Sequence, residues 1–179
     1  MRTYLHINLS DRTVKKEQME GEQLARAGRY HIVKTMLDRG LADCDPLGPD
    51  NPLIFSAGPF AGSNFSNANR ISVGCKSPLT GGIKESNAGG TFGFALGQLE
   101  LSGLTLYGQS DEWVVMYISK EGEIDLDRRL RRRVAAAFAQ LRPLQSGAGL
   151  PAVQWRPRRS SGAGLAQATP PMWWCSPLR

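Results

Sequence analysis

The last 52 residues of this 179-residue chain contain no aspartate, glutamate, lysine, asparagine or isoleucine, yet they hold ten arginines. Residues 1–127 carry 12 Lys plus Arg against 16 Asp plus Glu, a net charge of −4, whereas residues 128–179 carry +10. The basic balance of the chain therefore belongs to its tail. Thiols are scarce: Cys44, Cys75 and Cys175 lie far apart, with no C-x-x-C pair. That spacing excludes a zinc ribbon and a disulfide framework, and Cys75 reads as a small packed thiol. A cubane iron–sulfur cluster takes four thiolates, so the chain does not build one unaided. The two histidines, His6 and His31, are isolated from each other and from any nucleophile at a recognisable spacing, and no Ser-His-Asp or Cys-His set is legible. No run of about 18 apolar residues occurs, so no membrane-spanning helix is expected. The start, Met1-Arg2-Thr3-Tyr4-Leu5-His6, lacks the apolar stretch of a signal peptide, which points to the cytoplasm.

What the first 127 residues do contain is the patterning of a folded domain, here expected to be α+β and rich in strands. Residues 4–9 alternate as a strand, with Tyr4, His6 and Asn8 on its polar side, so His6 is expected at the surface. Ser10-Asp11-Arg12 makes a turn and residues 13–19 return as the partner strand. Leu24, Ala25, Gly28, Ile32, Val33, Met36 and Leu37 form one apolar stripe over 22–41, a long helix closed by Gly40 as C-cap. His31 lies on that helix, partly buried and hydrogen-bonded. Further strands are expected at 53–57, 70–73, 104–107 and 113–118, with a short helix over 92–101.

The segment Asn69 to Gly93 carries the most chemistry. Arg70 heads the alternating run Arg70-Ile71-Ser72-Val73, from which a guanidinium can grip a phosphate with two parallel N–H bonds. Ser77-Pro78-Leu79-Thr80-Gly81-Gly82 has the composition of a tight loop. Asn87-Ala88-Gly89-Gly90 reads as a second Gly-rich turn, where missing β-carbons let backbone N–H groups approach a ligand. Phe92, Ala95, Leu96 and Leu99 follow at helical spacing, which sets Gly89-Gly90 just before a helix N-terminus that favours negative charge. Taken singly, Arg70 is an ordinary strand-end arginine and Asn-x-Gly-Gly an ordinary turn; in combination they read as an anion site for a phosphate or pyrophosphate.

Four collinear blocks extend that reading: Asp45-Pro46-Leu47-Gly48-Pro49-Asp50-Asn51, Leu53-Ile54-Phe55-Ser56-Ala57-Gly58-Pro59, Lys76-Ser77-Pro78-Leu79-Thr80-Gly81 and Ser86-Asn87-Ala88-Gly89-Gly90-Thr91-Phe92-Gly93. With these blocks the chain resembles the N-terminal domain of the aldehyde:ferredoxin oxidoreductases, enzymes with a tungsten or molybdenum bis-pterin cofactor. The resemblance covers about residues 1–127, the first half of the pterin-binding domain. It implies that Arg70 contacts the pterin phosphate region, that Asn87 helps hold a magnesium ion bridging the two pterin phosphates, and that Gly89 makes a backbone contact to the pterin. It also implies a 4Fe-4S cluster whose cysteines belong to later domains, ferredoxin or another iron–sulfur carrier as electron partner, and an assembly that can be homo-oligomeric. Aldehyde and water become carboxylic acid in such enzymes, and no residue of this chain is expected to be catalytic. One departure stands in the first helix, where the family's Gly-x-Arg-Gly is here Gly28-Arg29-Tyr30 preceded by Ala27, which puts a close approach of that helix to the cofactor in question.

The tail, 128–179, carries Leu130, Val134, Ala137 and Leu141 at helical spacing, then Gly, Pro, Ser and Arg. Its loss of acids and lysine with excess Arg, Ala, Pro and Gly reads as a GC-rich message translated out of frame, and the segment is expected to be disordered and the chain inactive alone. The competing readings are a small phospholigand-binding module that docks on a relative, and, less favoured, a basic arm for nucleic acid driven by counterion release.

Overall fold

The computed structural model describes residues 1–111, 114–119 and 123–127. The expectations for the basic tail and for Trp113 fall outside those residues. A six-stranded sheet has the order β2-β1-β6-β3-β4-β5, built from β1 (Arg2–Asn8), β2 (Thr13–Met19), β3 (Leu53–Ala57), β4 (Arg70–Lys76), β5 (Ile83–Gly89) and β6 (Leu101–Tyr107). Neighbours run antiparallel except β1 and β6, which are parallel and sit side by side although the rest of the sheet lies between them in sequence. A separate hairpin pairs β7 (Val115–Ile118) with β8 (Ile124–Asp127).

Alternation sorts the strands into two faces. Leu5, Ile7, Phe55, Ala57, Ile71, Val73, Leu104 and Leu106 form the main core, covered by α3 (Thr91–Gln98) through Leu96, with Phe92 and the β7–β8 hairpin residues Met116, Ile118, Ile124 and Leu126 packed at its margin. On the opposite face α2 (Arg29–Asp38) sets Ile32 and Met36 on Ile54. Gly74 makes that crossing close, since a Cβ there would lie 2.5 Å from Ile32 Cγ2.

The apolar stripe over 22–41 is not one helix. It divides into a five-residue helix, α1 (Gly21–Ala25), and α2, because Gly28 at φ +81 cannot continue a helix. Gly40 ends α2 as expected, left-handed at φ 63 with its N–H donating to the Leu37 carbonyl. The loop Ser77 to Gly82 closes as read, Ser77 N–H to Gly82 O at 2.8 Å and Gly81 N–H to Ser77 O at 2.9 Å. By contrast Asn87, Ala88 and Gly89 are not a turn. They finish β5, an edge strand the apolar pattern did not reveal.

The Asp45–Asn51 block is held by side chains that imitate a strand. Asn51 accepts from the Lys76 N–H at 2.9 Å and donates to the Lys76 carbonyl at 2.9 Å, while the buried Lys76 ammonium donates to the carbonyls of Ala42 and Cys44. That block is a structural brace at the far end of β4 from Arg70.

His6 is not simply a surface residue. Its ring stacks on Tyr107, accepts or donates at the Tyr107 hydroxyl (3.1 Å) and meets Glu17 at 2.8 Å. His31 is partly buried as expected, its ring 4.7 Å from that of Tyr4, but its Nε2 is buried without a hydrogen-bond partner. Burial first, with His6 adding, pushes the His31 pKa below its ordinary 6.5, against the pull of Glu17. Because the folded state then disfavours the proton that the unfolded chain accepts, stability is full above about pH 6.5 and declines as pH falls through the lowered folded value. The urea midpoint is accordingly expected to drop on acidification, and His31→Leu should flatten that drop; an unaltered slope in the variant would remove His31 as its source.

Candidate functional site

The register of the sheet lays five residues side by side on the α2 face. Tyr4 stands opposite Gly103, Gly103 opposite Ser56, Ser56 opposite Ser72, and Ser72 opposite Asn87. One step toward the sheet's end, Arg70 stands opposite Gly89. The row is joined by hydrogen bonds: Asn87 Nδ2 donates to Ser72 Oγ at 3.1 Å, and Arg70 Nε donates to Asn87 Oδ1. Gly28 N–H donates to Ser56 Oγ at 2.8 Å, which ties the N-terminal end of α2 to the same row.

Two consequences follow for the three residues singled out by sequence. Arg70 is exposed and spends one of its five N–H donors on Asn87, so its two terminal nitrogens remain for a planar, two-bond grip. The Asn87 amide is oriented by both neighbours, and its oxygen retains one lone pair after accepting from Arg70. Gly89 has no atom within 4 Å of the position a Cβ would take, so ligand atoms can reach this stretch of backbone. Gly90 at φ +136 turns the chain into α3. Gly93 seats the first turn of that helix on the backbone of Asn69, where a Cβ would lie 2.6 Å from the carbonyl oxygen. The structure therefore brings Arg70, Asn87 and Gly89 together on one sheet edge beside a helix start.

Sequence reasoning missed Ser56, Ser72, Glu85 and Arg29. Ser72 was within reach of the alternation starting at Arg70, but Ser56 enters only through the lateral register. Glu85 lies on β5 two residues before Asn87; its side chain is 14% exposed, and its Oε2 is 3.3 Å from an Arg29 terminal nitrogen. Tyr30 is 47% exposed, receives a hydrogen bond on its hydroxyl from Arg26 at 3.1 Å and lies under that guanidinium. Gly28, just before this helix, lies at ordinary contact distance from the row, where a Cβ would be 3.6 Å from Ser72 Oγ. Among the described residues no group of three or more His, Cys, Asp or Glu is placed to hold a metal ion, and no helix is long and apolar enough to cross a membrane.

The sheet thus sets an arginine, an oriented amide and a bare glycine backbone at one edge, followed at once by a helix. The family model described as aldehyde ferredoxin oxidoreductase, N-terminal domain, matches residues 4–141, and the chain belongs to that family. The matched span continues 14 residues past the compositional break at 127. The tungsten-containing aldehyde ferredoxin oxidoreductase of Pyrococcus horikoshii is 36% identical over 124 residues, 65% of this chain and 20% of that protein. Its counterpart in Thermococcus kodakarensis is 37% identical over 121 residues, 66% of this chain and 20% of that protein. The chain thus spans about one fifth of the length of these relatives. Among solved structures, the active site complex BamBC of benzoyl coenzyme A reductase matches with a TM-score of 0.69 at 23% identity, covering 80% of this chain and 24% of that one, which shows a shared fold.

Proposed function

We propose that this chain supplies the phosphate-holding part of a metallopterin site in an aldehyde:ferredoxin oxidoreductase-like enzyme, working in the cytoplasm. The observation that carries the reading is the hydrogen-bonded series Arg70, Asn87, Ser72 at the open sheet edge opposite Gly89. Those residues fit a tungsto- or molybdo-bis-pterin. Arg70 would grip a pterin phosphate, the remaining lone pair of Asn87 Oδ1 would take a magnesium ion between phosphates, and the Gly89 backbone would lie against the pterin. When bound, such a cofactor supplies the oxidation of an aldehyde with water to a carboxylic acid, two electrons leaving through a 4Fe-4S cluster to ferredoxin. The chain's own residues bind and orient. None is an acid or base for the reaction.

The chain alone is then inactive, and that is open to direct measurement. Purified protein is expected to carry no stoichiometric iron and to give no viologen-coupled aldehyde oxidation. Iron at one cluster per chain together with turnover would overturn the reading. A phosphorylated ligand retained without pterin or metal would instead favour a small phospholigand module.

A further inference from the structure

His31 lies outside the anion site, yet the fold sets it where a charge is poorly tolerated. It stands in the first turn of α2 with its Nε2 buried and without a hydrogen-bond partner, its ring packed 4.7 Å from that of the buried Tyr4. The oxygens around it are engaged elsewhere: the Tyr4 hydroxyl with Thr105 Oγ1 at 2.7 Å, and Glu17 Oε2 with His6 Nε2 at 2.8 Å. Glu17 on β2 and His6 on β1 act on His31 in opposite senses, the carboxylate favouring a proton there and the imidazole opposing it. The other charged groups along α2 and on the strands beneath it are also taken. Glu85 of β5 pairs with Arg29, Lys76 of β4 donates to the carbonyls of Ala42 and Cys44, Arg39 lies over the Tyr107 ring of β6, and Lys34 meets Asp38. β3 meets the helix through Ile54. A proton on His31 therefore makes a cation with a buried Nε2–H and no acceptor, which costs free energy as long as α2 stays docked.

We propose that His31 is a proton-operated latch: on acidification α2 lifts from the sheet as a unit and uncovers the Ser56–Ser72 row, while the strands stay paired. The proposal is independent of what that row binds. α2 is held on its face by Ile32 and Met36 against Ile54 and by the Gly28 bond to Ser56, whereas the strands are joined by their own ladders and share the main core on the opposite face. The helix can therefore open without breaking either the ladders or that core. Once open, His31 meets water and takes a proton at its ordinary 6.5; docked, it resists the proton, chiefly through burial. The opening equilibrium accordingly rises by up to about tenfold per pH unit below that value, and levels off where the docked form is itself protonated.

Amide hydrogen exchange of the full chain tests this, followed peptide by peptide from about pH 7.5 to about pH 5 and divided by the intrinsic chemical rate at each pH. Residues 29–38 are expected to lose protection by up to about tenfold per pH unit below 6.5, while the strands at 53–57 and 101–107 keep theirs. His31→Gln has no ring to protonate, so it should hold α2 at its neutral-pH protection over the whole range. Parallel loss of protection in α2 and the strands would overturn the latch and leave His31 a contributor to global stability only. A pH slope that survives in His31→Gln, or no slope in the native chain, overturns it as well. Should His31→Gln not fold, the His31 ring resonance of the native chain decides: it must titrate within the pH range over which α2 loses protection, and a ring that titrates outside that range sinks the proposal.

Discussion

Gly97→Ala should destabilise the fold by about 3 kcal/mol or more, at the upper end of what overpacking costs. A Cβ at Gly97 would lie 2.1 Å from both the carbonyl carbon and oxygen of Ala61 and 2.3 Å from Gly62 N, and all three are backbone atoms with no rotamer to escape into. The contact is mutual, since a Cβ at Gly62 would lie 2.5 Å from the Gly97 carbonyl carbon. Gln98 fastens the same place by donating to the Gly62 carbonyl at 2.6 Å. To admit one methyl group, α3 must lift from the loop after β3, and Leu96, buried in the main core, must lift with it. Domains of this size are stable by only about 5–15 kcal/mol, so the loss is a large share of the total. Urea unfolding of Gly97→Ala beside Gly82→Ala is the check, because at Gly82 the nearest atom to an added Cβ is 3.8 Å away. If the two variants unfold at the same urea concentration, α3 does not dock as described.

The elements legible in the sequence are those whose two faces meet different surroundings. β1 shows Leu5 and Ile7 to the main core and Tyr4 and His6 to the other side, and its period of two was readable for that reason. β5 was not, because Ile83-Lys84-Glu85-Ser86-Asn87-Ala88-Gly89 lies at the sheet edge and buries no large apolar side chain on either face. Its polar positions have no core to alternate against. The break at Gly28 was hidden by the opposite effect: the apolar stripe continues through it in phase, and only the backbone conformation separates α1 from α2. His6 and His31 were judged from their own strand and helix, whereas their environments come from Tyr107, Glu17 and Tyr4 on neighbouring elements. Residue chemistry marked the stretch holding Arg70, Asn87 and Gly89 as an expected anion site, and the family resemblance gave each its expected role; the lateral register set Ser56 and Ser72 beside them, and the ion pair of Glu85 with Arg29 comes from α2.

Arg70→Lys is expected to strip a large share of the metallopterin from an enzyme that contains this site in full. The suitable setting is a complete relative carrying residues 1–127 in place of its own matching region. Lysine keeps the charge but replaces a planar fork by a point charge, and it cannot both donate to Asn87 Oδ1 as Arg70 Nε does and grip a phosphate with two parallel bonds. The loss expected is about 1.5–3 kcal/mol, the range of hydrogen bonds to charged groups, or roughly ten- to 150-fold in affinity. Asn87→Ala should weaken retention by two routes, removing the proposed magnesium ligand and freeing Arg70 from its orienting partner. Gly89→Val should do so by bulk alone, because the space around that position is open in the fold. Thermal melting of the cofactor-free protein should barely move in the arginine and glycine variants, which separates lost binding from lost folding. The readouts are tungsten or molybdenum per chain and the fluorescence of pterin released on denaturation. Full cofactor content in Arg70→Lys would make Arg70 an ordinary strand-end arginine, and the phosphate site would have to be sought elsewhere on the sheet.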